Sequence, residues 1–219
     1  MEKNLFIYNI ISYSSTLFLA INTILFFKSY RNKPVAFKIF SFYLLFILLI
    51  QLTTLYMRLN KTPNLFFSHY YFVGQFIFLS LFYRNLEEKK LNKTITKYIL
   101  IISLICIAIY YFKYPEDYFE YNIFEVFLTS IFLIIYSFLF FLKKIDSHDK
   151  RFIYINSGFF LYITCSTLIF AAGNIESSIK NILWYSNVSL YLIYQLLIFI
   201  EWYKHFRKLK KAQVKTPDF

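Results

Sequence analysis

Seven long apolar runs, separated by short polar loops, constrain the fold of this chain more than any other feature of its sequence. A helix needs about 20 mostly apolar residues to cross a bilayer, and each run approaches that length. The predicted spans are 5–27, 37–57, 65–84, 96–113, 122–142, 153–172 and 183–203. The expected fold class is therefore an all-α integral membrane protein with seven transmembrane helices.

The composition favours a membrane protein over a soluble domain. Only 16% of the residues are charged, against about 25% in a typical soluble domain. All four prolines lie in loops or in the tail, so the sequence predicts unbroken helices. We predict one membrane domain over residues 1–203 and a basic tail over 204–219. Heavy use of Ile, Lys, Asn, Tyr and Phe suggests an AT-rich bacterial genome, and hence the bacterial cytoplasmic (inner) membrane.

The basic residues predict an orientation. Cytoplasmic loops of membrane proteins are rich in Lys and Arg. The loops after spans one, three and five, with the adjoining span ends, and the C-terminal tail hold 19 of the 24 basic residues. We therefore predict an external N-terminus and a cytoplasmic C-terminus. Only the external segment RLNK, residues 58–61, departs from this pattern.

The tail KHFRKLKKAQVK places basic side chains directly after the last span, where anionic lipid headgroups are accessible. The predicted headgroup contacts are Lys204, Arg207, Lys208, Lys210 and Lys211. The net charge of +12 would raise nucleic acid as a partner of a soluble protein. Here most of the basic residues lie in the predicted cytoplasmic loops and tail, as membrane topology requires, so nucleic acid is disfavoured as a partner. A cytoplasmic or membrane protein partner and a homo-oligomer both stay open.

Polar side chains inside the spans are costly in lipid and should face the bundle interior. Several of them lie at the same depth, near the predicted outer surface. The hypothesis is an outward-facing ligand pocket lined by Gln51, His69, Tyr71, Gln75, Glu125 and Asn187. A polar stripe also follows span seven from Asn187 to Glu201 and His205, and we expect Glu201 to lie at the interface, paired with a neighbouring basic residue.

A second interpretation of the same residues is polar packing at helix ends. His69 and Glu125 each lie about one turn inside a span, from which they could reach interfacial water, and an acid in the first turn of a helix favours the helix dipole. Tyrosine stripes more often pack helices through hydrogen bonds than bind ligands. The sequence leaves both interpretations of these residues open.

No motif of a known reaction occurs in the sequence. It lacks G-x-S-x-G, HExxH, a P-loop, G-x-G-x-x-G and CxxC, so we predict no metal, no cofactor and no catalytic residue. The seven-helix plan resembles microbial rhodopsins in outline, but span seven has no lysine to carry a retinal. It is also similar to bacterial seven-helix sensory modules, an architectural likeness only.

The function that these observations favour is a receptor-like ligand-binding or sensory module that acts through a separate partner. The alternative is a small-molecule transporter or channel protomer. An integral membrane enzyme that uses His69 and Glu125 as acid and base is the least favoured.

Overall fold

A computed structural model describes residues 2–120, 122–171 and 179–207, and within these ranges the chain is helical, with no strand. Seven α-helices are present: α1 Glu2–Lys28, α2 Val35–Leu59, α3 Phe67–Leu86, α4 Lys90–Lys113, α5 Ile123–Ile145, α6 Ile153–Ala171 and α7 Ile179–Glu201. A 3₁₀ turn, Pro115–Phe119, joins α4 to α5, and a π-helical turn, Trp202–Phe206, follows α7.

Each helix overlaps one predicted span, but several extend beyond it. Helix α4 begins at Lys90, six residues before the predicted start at 96. The apolar run marks only the lipid-compatible part of the helix. Backbone hydrogen bonds extend the helix toward its N-terminus, through the polar residues that follow Lys89. The prolines lie where the sequence placed them, with Pro34 at the N-cap of α2 and Pro115 at the start of the 3₁₀ turn.

The helices pack as a ring of six with one helix outside. Neighbouring pairs around the ring are α1–α2, α2–α3, α3–α5, α5–α6, α6–α7 and α7–α1. Helix α4 packs mainly on α3, and Thr96, Leu100, Ser103 and Ile107 are its buried residues. The ring gives the bundle two ends, which we call the α2–α3 end, at loop 60–66, and the α1–α2 end, at loop 29–34.

Aromatic side chains fill much of the interior. Phe26 stacks on Phe37 with ring centroids 4.8 Å apart, and Phe206 of the π-helical turn lies 4.7 Å from Phe37. Gly74 lets α3 approach α2 closely, because a Cβ atom there would lie 2.0 Å from Phe46 Cε1. Gly158 likewise lets α6 approach α7 at Leu197 and Tyr194. The packing therefore depends on bulky rings and these two glycine contacts, since the sequence offers no GxxxG pair.

Five helices of the described residues are long and apolar enough to cross a membrane by length and composition: Phe6–Lys28, Val35–Leu59, Lys90–Lys113, Ile123–Ile145 and Ile182–Phe206. Helix α6 contributes a shorter apolar segment, Ile153–Ile169. Helix α3 is long enough, but polar side chains such as His69 and Gln75 lower its hydropathy. This architecture is consistent with a polytopic integral membrane protein.

Glu201, at the end of α7, is fully buried among protein groups. Its carboxylate accepts hydrogen bonds from the backbone N–H groups of Phe152 at 2.6 Å and Tyr154 at 2.9 Å. These N–H groups lie at the N-terminus of α6, where no carbonyl group of the same helix is positioned to accept their hydrogen bonds. The expected contact with His205 is present, at 2.7 Å between Nδ1 and Oε1, so the last residue of α7 caps the start of α6.

Candidate functional site

A cavity of about 380 Å³ opens between helices α1, α2, α3 and α7 at the α2–α3 end of the bundle. Its walls are aromatic and aliphatic, with polar groups interspersed among them. The lining residues are Ser12, Tyr13, Ser15, Thr16, Ile50, Gln51, Thr54, Leu55, Arg58, Asn64, Leu65, Phe67, Ser68, Tyr71, Phe72, Tyr162, Trp184, Asn187, Val188 and Tyr191. The volume falls in the lower part of the range of small-molecule sites, about 300–1,000 Å³.

The depth of the cavity follows from the helix rise. On α2 its lining extends from Arg58 inward to Ile50, and on α7 from Trp184 inward to Tyr191. These intervals of eight and seven residues correspond to about 10–12 Å at 1.5 Å per residue. The cavity therefore has a mouth near Arg58 and Trp184 and a floor near Gln51 and Tyr191.

Some polar groups of the lining already have partners. Thr16 donates to Gln51 Oε1 at 3.1 Å, which joins α1 to α2. The hydroxyls of Tyr71 and Tyr162 are 3.1 Å apart, which joins α3 to α6 across the floor. These bonds hold part of the polar lining in place.

Asn187 and Tyr191 lie one turn apart on α7, and both residues belong to the cavity lining. Both are more than nine-tenths buried, with exposed fractions of 9% and 7%. Tyr191 has the side chains of Gln51 and Gln195 as hydrogen-bonding neighbours, whereas Asn187 Oδ1 is buried without a hydrogen-bond partner among the described residues. Buried polar groups are nearly always paired, so Asn187 is the unsatisfied polar residue of this wall.

Arg58 supplies the formal charge of the cavity. Among the described lining residues it is the only Asp, Glu, Lys, Arg or His. Its guanidinium carbon lies 5.9 Å from the ring centroid of Tyr13, another lining residue, in a cation–π contact. The mouth is therefore electropositive, whereas the floor is neutral and polar.

His69 and Glu125 form a separate cluster on the far side of α3. Nδ1 of His69 is 2.9 Å from Glu125 Oε2, and both side chains are buried. Tyr111 of α4 joins them, since its hydroxyl lies 2.5 Å from Glu125 Oε2 and 2.8 Å from His69 Nδ1. The other ring nitrogen, Nε2, is 2.9 Å from the carbonyl oxygen of Tyr118. The cluster thus connects α3, α4, α5 and the 3₁₀ turn.

The partners of His69 allow two forms of its ring. When Nδ1 donates to an ionised Glu125 and Nε2 donates to the Tyr118 carbonyl oxygen, His69 is an imidazolium in an ion pair. When Nδ1 instead accepts the Tyr111 hydroxyl, the ring is neutral and only Nε2 donates. In either form both ring nitrogens are engaged by protein groups.

Tyr118 adds an outer layer to this cluster. Its ring stacks on His69, with centroids 5.4 Å apart, and its hydroxyl lies 2.7 Å from that of Tyr70. This hydrogen bond raises the pKa of Tyr118 to about 12. The hydroxyl therefore stays neutral at physiological pH and covers the ion pair without adding charge.

The single pocket expected for six side chains is therefore divided. Gln51, Tyr71 and Asn187 line the cavity, whereas His69, Gln75 and Glu125 do not. Successive helical residues are about 100° apart, so His69 lies about 200° from Tyr71 and faces α4 and α5. Gln75 shares the face of Tyr71 but lies one turn deeper, where its Oε1 accepts a hydrogen bond from Tyr43 at 3.2 Å.

Sequence reasoning did not identify several site residues. Ser12 and Thr16 lie in span one, from which no candidate site residue was drawn, and Tyr111 is one of 21 tyrosines. Arg58 did carry a signal, because it lies in RLNK, the one segment whose basic residues departed from the predicted orientation. A cation that topology does not require is a reason to look for a binding role.

The expected lipid contacts are described only in part. Lys204 and Arg207 are exposed at the α1–α2 end; Lys204 Nζ lies 2.7 Å from the Tyr154 hydroxyl, and Arg207 lies over the ring of Tyr203. Lys208, Lys210 and Lys211 lie outside the described residues. Headgroup binding by these residues stays a prediction.

The described residues contain no group of three or more His, Cys, Asp or Glu side chains that could hold a metal ion. Comparison with protein-family models, curated proteins and solved structures finds no match to this chain. The function must therefore be argued from the cavity itself.

Proposed function

We propose that the chain is a receptor-like ligand-binding module of the bacterial inner membrane that binds a small molecule in the cavity at the α2–α3 end. One observation carries this proposal: a cavity of about 380 Å³ opens at this end of the bundle, with the polar side chains of Gln51, Arg58 and Asn187 among its aromatic and aliphatic walls. Mostly apolar walls with a few polar groups are typical of small-molecule sites.

The proposal includes seven transmembrane helices, with the N-terminus and the cavity outside and the C-terminus in the cytoplasm. The asymmetry of basic residues supports this orientation. A fluorescent protein fused after residue 219 is expected to fluoresce in the cytoplasm, and alkaline phosphatase fused within loop 60–66 is expected to be active outside. The reverse pattern would contradict the orientation and place the cavity on the cytoplasmic side.

Replacing Asn187 with leucine should separate binding from stability. Without ligand, the variant is expected to be at least as stable as the wild type, because it removes an unpaired buried polar atom that costs about 1–3 kcal/mol. Compounds that stabilise the wild type in a thermal-unfolding screen should lose their effect in the variant. Asn85→Leu is the control, because Asn85 is exposed at the opposite end of the bundle and donates to Leu81 O.

If no compound in a broad screen stabilised the wild type, or if every stabilising compound acted equally on Asn187→Leu, the cavity would not be the binding site.

In this proposal the partner protein contacts the exposed surface at the α1–α2 end of the bundle, where Lys204 and Arg207 could also contact anionic headgroups. Crosslinking in native membranes is the direct assay for such a partner.

A transporter is the second candidate, because buried polar side chains continue below the cavity floor. Gln75 pairs with Tyr43, Asn22 donates to Gln195 Oε1 at 3.1 Å, and Asn156 accepts from Tyr83 at 2.7 Å. These groups could line a path opened by a conformational change. Ligand-dependent flux into proteoliposomes would favour transport, whereas binding without flux would favour the receptor.

A further inference from the structure

We propose that His69, Tyr111, Tyr118 and Glu125 form an acid-released attachment, which we call the α4 latch. At neutral pH the latch holds the end of α4 and the 3₁₀ turn against α3 and α5, and protonation in acid releases them. The latch lies on the far side of α3 from the cavity and needs no ligand, so this inference goes beyond the proposed function.

Helix α4 is the least buried of the five helices that are long and apolar enough to span a membrane. Only 17% of its most apolar stretch is buried, against 28–39% in the other four. At the α1–α2 end, the connection 87–89 tethers α4 to α3, and Arg84 donates to the Lys93 carbonyl oxygen at 3.3 Å. Regions with few buried contacts open most readily, so the opposite end of α4 depends on its own attachment.

Tyr111 provides that attachment. Its hydroxyl lies 2.5 Å from Glu125 Oε2 on α5 and 2.8 Å from His69 Nδ1 on α3, and the Asn122 side chain is a further hydrogen-bonding neighbour. The 3₁₀ turn is held at the same place, because His69 Nε2 lies 2.9 Å from the Tyr118 carbonyl oxygen and the two rings stack. The end of α4 and the turn are therefore both fastened to one histidine–carboxylate pair.

The charge balance of the pair makes this attachment sensitive to acid. His69 and Glu125 are only 5% and 1% exposed, and in the ion-paired form their charges cancel. An added proton neutralises the Glu125 carboxylate and leaves the His69 imidazolium as an uncompensated buried charge, which is costly. The pair stabilises the closed arrangement only while the carboxylate is ionised, so this contribution is lost as the pH falls. Acid therefore favours a state in which the turn and the end of α4 move away and water reaches the imidazolium.

The elements around the pair contribute other titratable side chains, and one of them offers a competing explanation. These side chains are Tyr70 on α3, Tyr110, Tyr111 and Lys113 on α4, Glu116, Asp117 and Tyr118 on the turn, and Glu120 before α5. Tyrosine and lysine keep their protonation state between neutral and acidic pH, and Glu116 and Glu120 are exposed to water. Asp117 accepts a hydrogen bond from Tyr110 at 2.5 Å. Its protonation would loosen the turn from α4, but not α4 from the ring.

The test uses the purified full-length protein in lipid nanodiscs and measures distances between spin labels by pulsed electron paramagnetic resonance. Cys106 and Cys165 are replaced with alanine, so that labels attach only at introduced cysteines. Labels at Leu59→Cys and Phe112→Cys, both exposed at the α2–α3 end, report on α4. Labels at Leu59→Cys and Ile182→Cys, on the ring helices α2 and α7, are the matched control.

The pH is lowered from about 8 to about 4, a range that brackets the ordinary pKa values of histidine and glutamate. The distance to α4 should change from one narrow distribution to a longer and broader one that forms the larger part of the signal. The distance within the ring should not change. Both should return to their starting values when the pH is raised again.

Glutamine substitutions assign the response to the pair. His69→Gln leaves Glu125 as the only charge of the latch, so acid should then tighten the attachment of α4 instead of releasing it. In His69→Gln/Glu125→Gln neither position titrates, and the distance to α4 should not depend on pH. Glu116→Gln is the matched control and should keep the wild-type response, because Glu116 is an exposed acid on the same turn. A pair with only a structural role would lose stability in these variants without reversing the pH response.

Three results would overturn the latch. They are a distance to α4 that stays constant in acid, an equal change within the ring, which would mean that acid loosens the whole bundle, and loss of the response in Asp117→Asn. The measurements on the wild-type pair and on Asp117→Asn leave His69 and Glu125 unchanged, so misfolding of His69→Gln does not obscure the outcome. The cavity takes no part in this experiment, so failure of the latch leaves the proposed ligand binding to its own test.

Discussion

Glu201→Ala is expected to lower the free energy of unfolding by about 3 kcal/mol, because it removes a buried carboxylate that caps another helix. The carboxylate accepts the N–H groups of Phe152 and Tyr154 at the start of α6 and contacts the His205 imidazole. Without it, two N–H groups and a histidine lose their acceptor in the protein interior. The favourable charge at the helix N-terminus is lost as well.

The geometry at Phe152 adds to this expectation. Phe152 has a φ of 69°, a left-handed conformation that is unfavourable for a bulky residue. Its N–H bond to Glu201 is one of the contacts that hold it there. Loss of the carboxylate should therefore loosen the entry to α6 as well as remove hydrogen bonds, and amide exchange at the start of α6 should accelerate.

The measurement is unfolding in mixed micelles, followed by tryptophan fluorescence. Glu88→Ala is the matched control, because Glu88 lies at the same end of the bundle but is exposed, 3.7 Å from Lys143. Such a surface pair contributes about 0–1 kcal/mol. Glu201→Gln keeps one acceptor oxygen and should fall between the two. Equal effects of Glu201→Ala and Glu88→Ala would show that the cap does not stabilise the fold.

The helices were predictable from the sequence because hydrophobic runs and loop charges report directly on local structure. The span predicted at 183–203 overlaps α7, Ile179–Glu201, and the loop RLNKTPN separates α2 from α3. Helix adjacency was not predictable, because the sequence contains no repeat or small-residue motif that pairs one helix with another. The position of α4 outside the ring depends on contacts that only the packed bundle defines.

The same distinction between local features and contacts across helices applies to the candidate site residues and to Glu201. The shared depth of His69 and Glu125 allowed a contact between them, but its geometry and the burial of Glu201 could not be derived, since each needs the rotation of one helix relative to another. The sequence grouped His69 with Tyr71 because they lie at similar depth. Residues two positions apart on a helix nevertheless point about 200° apart around its axis. Gln51 and Asn187 line the cavity, as their depth suggested, and ligand binding by them stays a prediction.

Disruption of the His69–Glu125 pair is also expected to destabilise the fold strongly. His69→Ala and Glu125→Ala should each lower the free energy of unfolding by about 3–5 kcal/mol, because each leaves a buried partner charge uncompensated. The cost is large because both side chains are buried and because they also form hydrogen bonds to the Tyr111 hydroxyl and the Tyr118 carbonyl oxygen. A histidine that merely reached interfacial water would cost less than about 1 kcal/mol.

The double variant distinguishes an ion pair from two independent packing contacts. If the charges depend on each other, the loss in His69→Ala/Glu125→Ala should be smaller than the sum of the two single losses by about 1–3 kcal/mol. His148→Ala is the control, since His148 is exposed in the loop between α5 and α6. Nitrogen NMR of labelled histidine should also show two ring N–H groups at His69. Additive losses, or a neutral ring with one N–H, would contradict the ion pair. In a neutral ring Nδ1 would accept the Tyr111 hydroxyl, so the cluster would be a chain of hydrogen bonds without a charge on His69.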